Sequence, residues 1–251
     1  MKKLRLIARL DVKNDHVIKG IHLEGLRKVG DPQEFARRYY QAGVDEILFM
    51  DAVASLYERN NLFHIINRAC EEVFIPITIG GGIRSLHDIE AALASGADKV
   101  ALNTQAIKTP GLIREASHVY GSQCIVASIE AKRKSTGWEA YTDNGREATG
   151  RCVLEWVEEL EELGAGEILV TSIDKEGTQK GFDIALAKEI LSRVNIPVVF
   201  SGGAGKTRHL SDLCEQAPVD GIAIASVLHY DKLEVRDIKE HLRDSGTEVR
   251  L

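Results

Sequence analysis

The chain has 251 residues, 44% of them hydrophobic and 28% charged, with a formal net charge of −6. That length and balance fit one globular domain with a large apolar core, and they exclude a disordered, collagen-like or coiled-coil chain. The negative charge argues against bulk binding to nucleic acid or acidic membranes, while leaving room for phosphates held locally by backbone amides.

Taken in chain order, the basic start Met1–Arg5 leads into a first strand, Arg5–Asp11, whose Arg9 and Asp11 break any secretory apolar core. Pro32–Ala42 repeats with a period near 3.6 and carries proline in its first turn, which predicts a helix. Strands follow at Glu46–Asp51, Pro76–Ile79 and Lys99–Asn103, and Pro110 opens another helix. The second half supplies strands at Cys124–Glu130, Glu167–Ser172, Pro197–Ser201 and Gly221–Ala225, with a helix over Leu154–Leu163. Eight strands alternating with helices predict right-handed βαβ units and a parallel sheet, closed as a (β/α)₈ TIM barrel at this length. No run approaches the roughly 20 apolar residues of a membrane span. Cys70, Cys124, Cys152 and Cys214 form no CxxC pair, which points to a reduced, cytoplasmic setting rather than to disulfides or zinc. No histidine or carboxylate spacing suggests a metal, and neither a P-loop nor a Rossmann fingerprint suggests a cofactor.

The chain also repeats itself. Gly43–Leu48 recurs as Gly164–Leu169, and Ile75-Pro76-Ile77 with Gly80-Gly81-Gly82 recurs as Ile196-Pro197-Val198 with Ser201-Gly202-Gly203. Asp98–Thr104 parallels Asp220–Ser226, and Asp11 parallels Glu130. The expectation is one domain made of two half-barrels, 1–121 and 122–251.

Three constellations follow. Asp11 and Glu130 are expected at the C-terminal ends of strands on opposite sides of the barrel, where βα loops build active sites. Two carboxylates facing one pocket suit proton removal at one atom and delivery at another. The turns after Gly80 and Ser201, together with Asn103-Thr104 and Ala225-Ser226, form two matched sites for phosphate, so the substrate should carry a phosphate at each end. Arg5, Glu46, Lys99 and Glu167 start four strands, and a ring of ion pairs closing the barrel bottom is their simplest role. Lys132-Arg133-Lys134 could attract phosphate or simply face solvent, and the glutamates of 158–162 read as a solvated helix face.

Along essentially its whole length the chain resembles the cyclase subunit of imidazole glycerol phosphate synthase. The resemblance rests on Leu10-Asp11-Val12-Lys13, Val17–Gly20, Gly30-Asp31-Pro32, Gly80–Ile83, Gly96–Val100, Gly164–Leu169, Thr171–Asp174 and Ser201–Gly205. It implies a duplicated barrel that takes ammonia from a separate glutaminase subunit docked at the N-terminal face. It also implies a bisphosphorylated formimino-carboxamide ribonucleotide as substrate, converted to imidazole glycerol phosphate and aminoimidazole carboxamide ribotide. Under it Asp11 is a catalytic aspartate and Lys19 the lysine of a mobile first loop. Gly82, Asn103, Thr104, Gly177, Gly203 and Ser226 become phosphate or substrate contacts, with Asp51, Thr171 and Ser201 lining the cavity. Arg5, Glu46, Lys99 and Glu167 become an ammonia gate instead of a structural plug.

The sequence departs from that pattern in three places. Glu130 replaces the second catalytic aspartate, Glu176 replaces the aspartate before Gly177, and Arg9 stands where a small residue is expected. Each glutamate reaches further by one methylene, about 1.5 Å, and a misplacement near 1 Å can cost on the order of 10²-fold in rate. Two alternatives accompany the cyclase. One is a cyclase-like adaptor that passes ammonia for amidation of a bacterial surface sugar. The other is the related phosphoribosylformimino isomerase, which needs no gate.

Overall fold

A computed structural model describes residues 3–54 and 62–251. Eight parallel strands close into a barrel: β1 (Arg5–Lys13), β4 (Glu46–Asp51), β5 (Ile77–Gly80), β6 (Lys99–Leu102), β7 (Ile125–Lys134), β10 (Glu167–Ser172), β11 (Val198–Ser201) and β12 (Gly221–Ile224), which pairs back onto β1. The eight-stranded barrel itself has no free edge, and its strands read as near-continuous apolar runs because both faces are covered. Outward side chains such as Leu6, Leu10, Phe49, Ile79 and Phe200 form the main core with the surrounding helices. Inward ones form a separate apolar ring: Ile7, Leu48, Ala101, Val126, Leu169, Val199 and Ala223.

Helices α1 (Pro32–Ala42), α2 (Phe63–Ala69), α3 (Leu86–Ala94), α4 (Thr104–Lys108), α5 (Gly111–Tyr120), α6 (Val153–Glu162), α7 (Ile184–Leu191), α8 (Thr207–Gln216), α9 (Ser226–His229) and α10 (Val235–Asp244) pack outside or cap the strand ends. Helix α1 has the boundaries its sequence dictates. The Asp31 carboxylate accepts the N–H groups of Gln33 and Glu34, Pro32 follows in the first turn, and Gly43 ends the helix at φ 89°. Pro110 stands one place earlier than expected, as the residue capping α5. No helix among the described residues is long and apolar enough to cross a membrane.

Strands β1 and β7 run beyond their expected ends, to Lys13 and Lys134, and each turns into an antiparallel extension over the barrel mouth. After β1 come β2 (His16–Ile21) and β3 (Glu24–Gly30); after β7 come β8 (Gly137–Thr142) and β9 (Glu147–Cys152). Sequence reasoning missed both hairpins because β3 and β9 are largely exposed and lack the apolar alternation that announces a strand. One consequence is that Glu130 lies within β7 instead of closing it. Leu23, Tyr141 and Ile173 join the tops of the two hairpins and the loop after β10 in a small apolar cluster.

Comparable bonds recur in the two halves. The Asp98 carboxylate accepts the Ile77 N–H at 2.8 Å, and Asp220 accepts that of Val198 at 2.9 Å. Asn103 and Ala225 share an uncommon backbone conformation, φ/ψ −124°/−83° and −134°/−77°, just before α4 and α9.

Candidate active site

Alternation along β1 places Arg5, Ile7, Arg9 and Asp11 on one face, the barrel interior, in ascending order. At the bottom, Arg5 donates to Glu46 and to Glu167 at 2.8 Å each, and Lys99 reaches the same two carboxylates at 3.3 and 3.2 Å. These residues form a closed cycle of alternating charge across the N-terminal mouth. Above it lies the apolar ring, and above that a polar layer.

Arg9 dominates the polar layer. Its side chain is 2% exposed. Its Nε donates to Asp11 Oδ1 at 2.8 Å, and Nη1 donates to Thr171 Oγ1 at 2.7 Å and to Ser201 Oγ at 3.4 Å. The other Asp11 oxygen accepts from Lys19 Nζ at 3.4 Å, and Lys19 also pairs closely with Glu176. Burial alone would raise the Asp11 pKa, but the Arg9 and Lys19 charges outweigh it and hold the carboxyl below its ordinary value.

Glu130 is also buried but has different company. Its Oε2 accepts from Asn103 Nδ2 at 3.0 Å and from the Gly145 N–H, in the β8–β9 turn, at 2.8 Å. Burial pushes its pKa up to about 7, the Gly145 N–H and Arg9 offset part of this, and the Asp11 and Asp143 charges add to it. The two carboxylates are therefore split, with Asp11 ionised and Glu130 protonated below neutrality.

Two clefts flank this pair, one beside β5 and β6 and the other beside β11 and β12. The first has a volume of about 190 Å³ and is lined by Asp51, Gly81, Gly82, Asn103, Thr104, Lys108 and Glu130, among others. The Asp51 carboxylate also accepts the N–H groups of Val53 and Ala54 at 2.9 Å, and burial raises its pKa despite them. The second cleft, of about 10 Å³, is lined by Glu176, Gly177, Ser201, Gly202, Gly203 and Ser226. Glycine is obligatory here. A Cβ on Gly203 would come within 2.2 Å of the Gly181 oxygen, and one on Gly177 within 2.4 Å of the Gly20 oxygen, both at positive φ. The expected residues thus fall into two clefts, a central carboxylate pair and a basal ring. Thr171 is spent on Arg9, and Ser201 is shared between Arg9 and the second cleft.

Lys132-Arg133-Lys134 does not join either cleft. These residues belong to β7, where Arg133 stacks on Trp138 and Lys134 pairs with Glu139 at 2.8 Å. Sequence reasoning missed Gly145 and Asn144, which reach the site from the β8–β9 turn, because a turn carries no strand signal. Arg9 drew notice only as an oddity; its partners lie on β10 and β11, far along the chain. The four cysteines are all free.

The chain is 59% identical over 207 residues to the imidazole glycerol phosphate synthase subunit HisF of Legionella pneumophila, covering 82% of this chain and 98% of that one. It is 48% identical over 247 residues to the protein of the same name from Thermococcus onnurineus (strain NA1), covering 98% of each. Neither name lends support to the surface-sugar adaptor. Residues 5–234 match the family described as histidine biosynthesis protein. On these grounds the chain belongs to the histidine biosynthesis protein family.

Proposed function

We infer that this chain is the cyclase subunit of imidazole glycerol phosphate synthase, a carbon–nitrogen lyase of histidine biosynthesis that works with a separate glutaminase subunit. The observation that carries the reading is the pair of glycine-lined clefts on opposite sides of one barrel mouth, with two buried carboxylates of divergent pKa between them. A substrate with a phosphate at each end, the formimino-carboxamide ribonucleotide, spans that arrangement. One phosphate lies against Gly82, Asn103 and Thr104, the other against Gly177, Gly203 and Ser226. Asp51, Thr171 and Ser201 complete the polar walls.

The glutaminase docks at the N-terminal face. Its ammonia passes the ring of Arg5, Glu46, Lys99 and Glu167 and then the apolar ring, which offers no solvation to an ammonium ion. At the mouth the nitrogen adds to the substrate's carbonyl carbon, whose oxygen leaves as water, and then closes the imidazole ring at the formimino carbon. Asp11, ionised, takes up the proton it sheds; Glu130, protonated, delivers one to the departing carboxamide ribotide as the carbon–nitrogen bond breaks. The Lys19–Glu176 pair holds the first hairpin down in the free chain and yields when the substrate enters. The two half-barrels, 1–121 and 122–251, are copies of one ancestral unit, a reading supported by the matched Asp98/Asp220 bonds and the two hairpins. The protein works in the cytoplasm and needs no metal or cofactor for this chemistry.

The test is direct turnover by the purified chain, supplied with the formimino bisphosphate and a large excess of ammonium salt near neutral pH, so that no glutaminase is needed and Glu130 keeps a share of its proton. Formation of imidazole glycerol phosphate is expected. A chain that binds the bisphosphate but never turns it over contradicts the cyclase reading.

A further inference from the structure

We propose that Arg9 is a positioning residue for the cyclase reaction: braced across the lumen from β1 to β10 and β11, it holds the Asp11 carboxylate in place and dedicates it to the role of base. A guanidinium this deeply buried persists only if it is paired and hydrogen-bonded. Arg9 meets that condition through one carboxylate and two hydroxyls on three different strands. The planar fork of arginine fixes the direction of each bond, which the single ammonium of lysine cannot do.

The comparison with Lys19 shows why Arg9 is the lasting partner. Lys19 holds the other Asp11 oxygen, but it also pairs with Glu176 and sits on β2, part of a hairpin laid over the mouth. A substrate entering from above must displace that hairpin. Arg9 is anchored in the barrel wall beneath and needs no such movement. Glu130 has amide donors where Asp11 has cations, so the two carboxylates differ by what holds them. The charged and titratable groups acting on Asp11 or on its two cations are Arg9, Lys19, Glu130, Glu176 (through Arg9 and Lys19) and His229, whose imidazole is kept neutral, its pKa pushed down to about 3 by burial and by Lys19.

The consequence for turnover rests on the cyclase reading; the geometry does not. Two measurements on the full chain keep the two apart. The first follows the Asp11 side-chain carboxyl by carbon-detected NMR during pH titration of the wild type, Arg9→Met and Arg9→Lys. Asp11 should titrate at higher pH in Arg9→Met than in wild type, with Arg9→Lys between them. The second measures kcat and KM against pH with ammonium salt. Arg9→Met should lower kcat on the order of 10²-fold with little change in KM, move the acid limb of the profile to higher pH, and be partly rescued by Arg9→Lys. Should Arg9→Met fail to fold, Arg9→Lys alone decides, through loss of kcat with KM retained. An Asp11 titration unmoved by either substitution overturns the inference whatever the turnover. If the wild type shows no turnover, the cyclase reading falls and the NMR result still decides for or against Arg9.

Discussion

The two clefts come from matching segments of sequence, yet one measures about 190 Å³ and the other about 10 Å³. Glycine turns alone therefore do not set their size. The two sides also differ in what rests beside each cleft. Beside the second cleft, the first hairpin packs down on the Glu176-Gly177 turn: the His22 N–H donates to the Glu176 oxygen at 2.9 Å, Lys19 pairs with the Glu176 carboxylate, and Gly20 leaves no room for a Cβ on Gly177. The second hairpin sends Asn144 to the edge of the first cleft and leaves it open. One side of the mouth is thus open, and on the other the first hairpin is tied to the Glu176-Gly177 turn. The lengthened Glu176 makes the ion pair with Lys19.

The largest expected effect tests the carboxylates between the clefts. Asp11→Asn should lower kcat by about 10²–10⁴-fold, the usual contribution of a general base, in an assay with ammonium salt. Glu130→Asp should preserve or raise turnover, since it restores the shorter side chain and keeps the acid.

The next effect concerns stability. Glu130 keeps its proton in the fold to about pH 7 against an ordinary value of 4.5. Between those values the folded chain binds more protons than the unfolded one, so this group's contribution is full below pH 4.5 and is lost as pH rises to 7. Glu130→Gln should therefore gain up to about 3 kcal/mol over wild type at pH 8 relative to the same comparison at pH 5. Denaturant melts at the two pH values measure it, and a pH-independent difference would refute the raised pKa.

A smaller effect sharpens the contrast between the clefts. Glu176→Gln weakens the Lys19 pair and should lower the local opening free energy of the first hairpin by about 1–3 kcal/mol. Hydrogen exchange should report it as lost protection at the His22 amide, with exchange around Asn144 unchanged. The least disruptive substitution is Lys99→Ala, at the half-buried rim of the basal ring. It should reduce product formed per glutamine consumed in the complex with the glutaminase, while leaving turnover on ammonium salt close to wild type. Equal losses with both nitrogen sources would count against a gate.

How far sequence anticipates this site depends on where the partners lie. The eight barrel strands are short β-branched runs whose buried faces leave their mark on composition, and the basal ring is visible because Arg5, Glu46, Lys99 and Glu167 each begin such a run. The carboxylates and glycine turns are visible through the repeat. The hairpins are not, because β3 and β9 take their structure from pairing and not from a pattern of their own. Nor is the role of Arg9, whose bonds to Thr171 and Ser201 span 162 and 192 residues and exist only once the barrel closes. The split of the carboxylate pKa values has the same origin, since it follows from burial and neighbours that no local window contains.

The account rests most directly on a substrate that bridges an open cleft and a closed one. The decisive measurement is a crystal structure of the Asp11→Asn chain soaked with the formimino bisphosphate. It should show one phosphate against Gly82 and Thr104 and the other against Gly203 and Ser226, with Lys19 drawn away from Glu176 and the second cleft enlarged. A bisphosphate bound with its second phosphate in solvent, the Lys19–Glu176 pair intact and the second cleft unchanged, would contradict it.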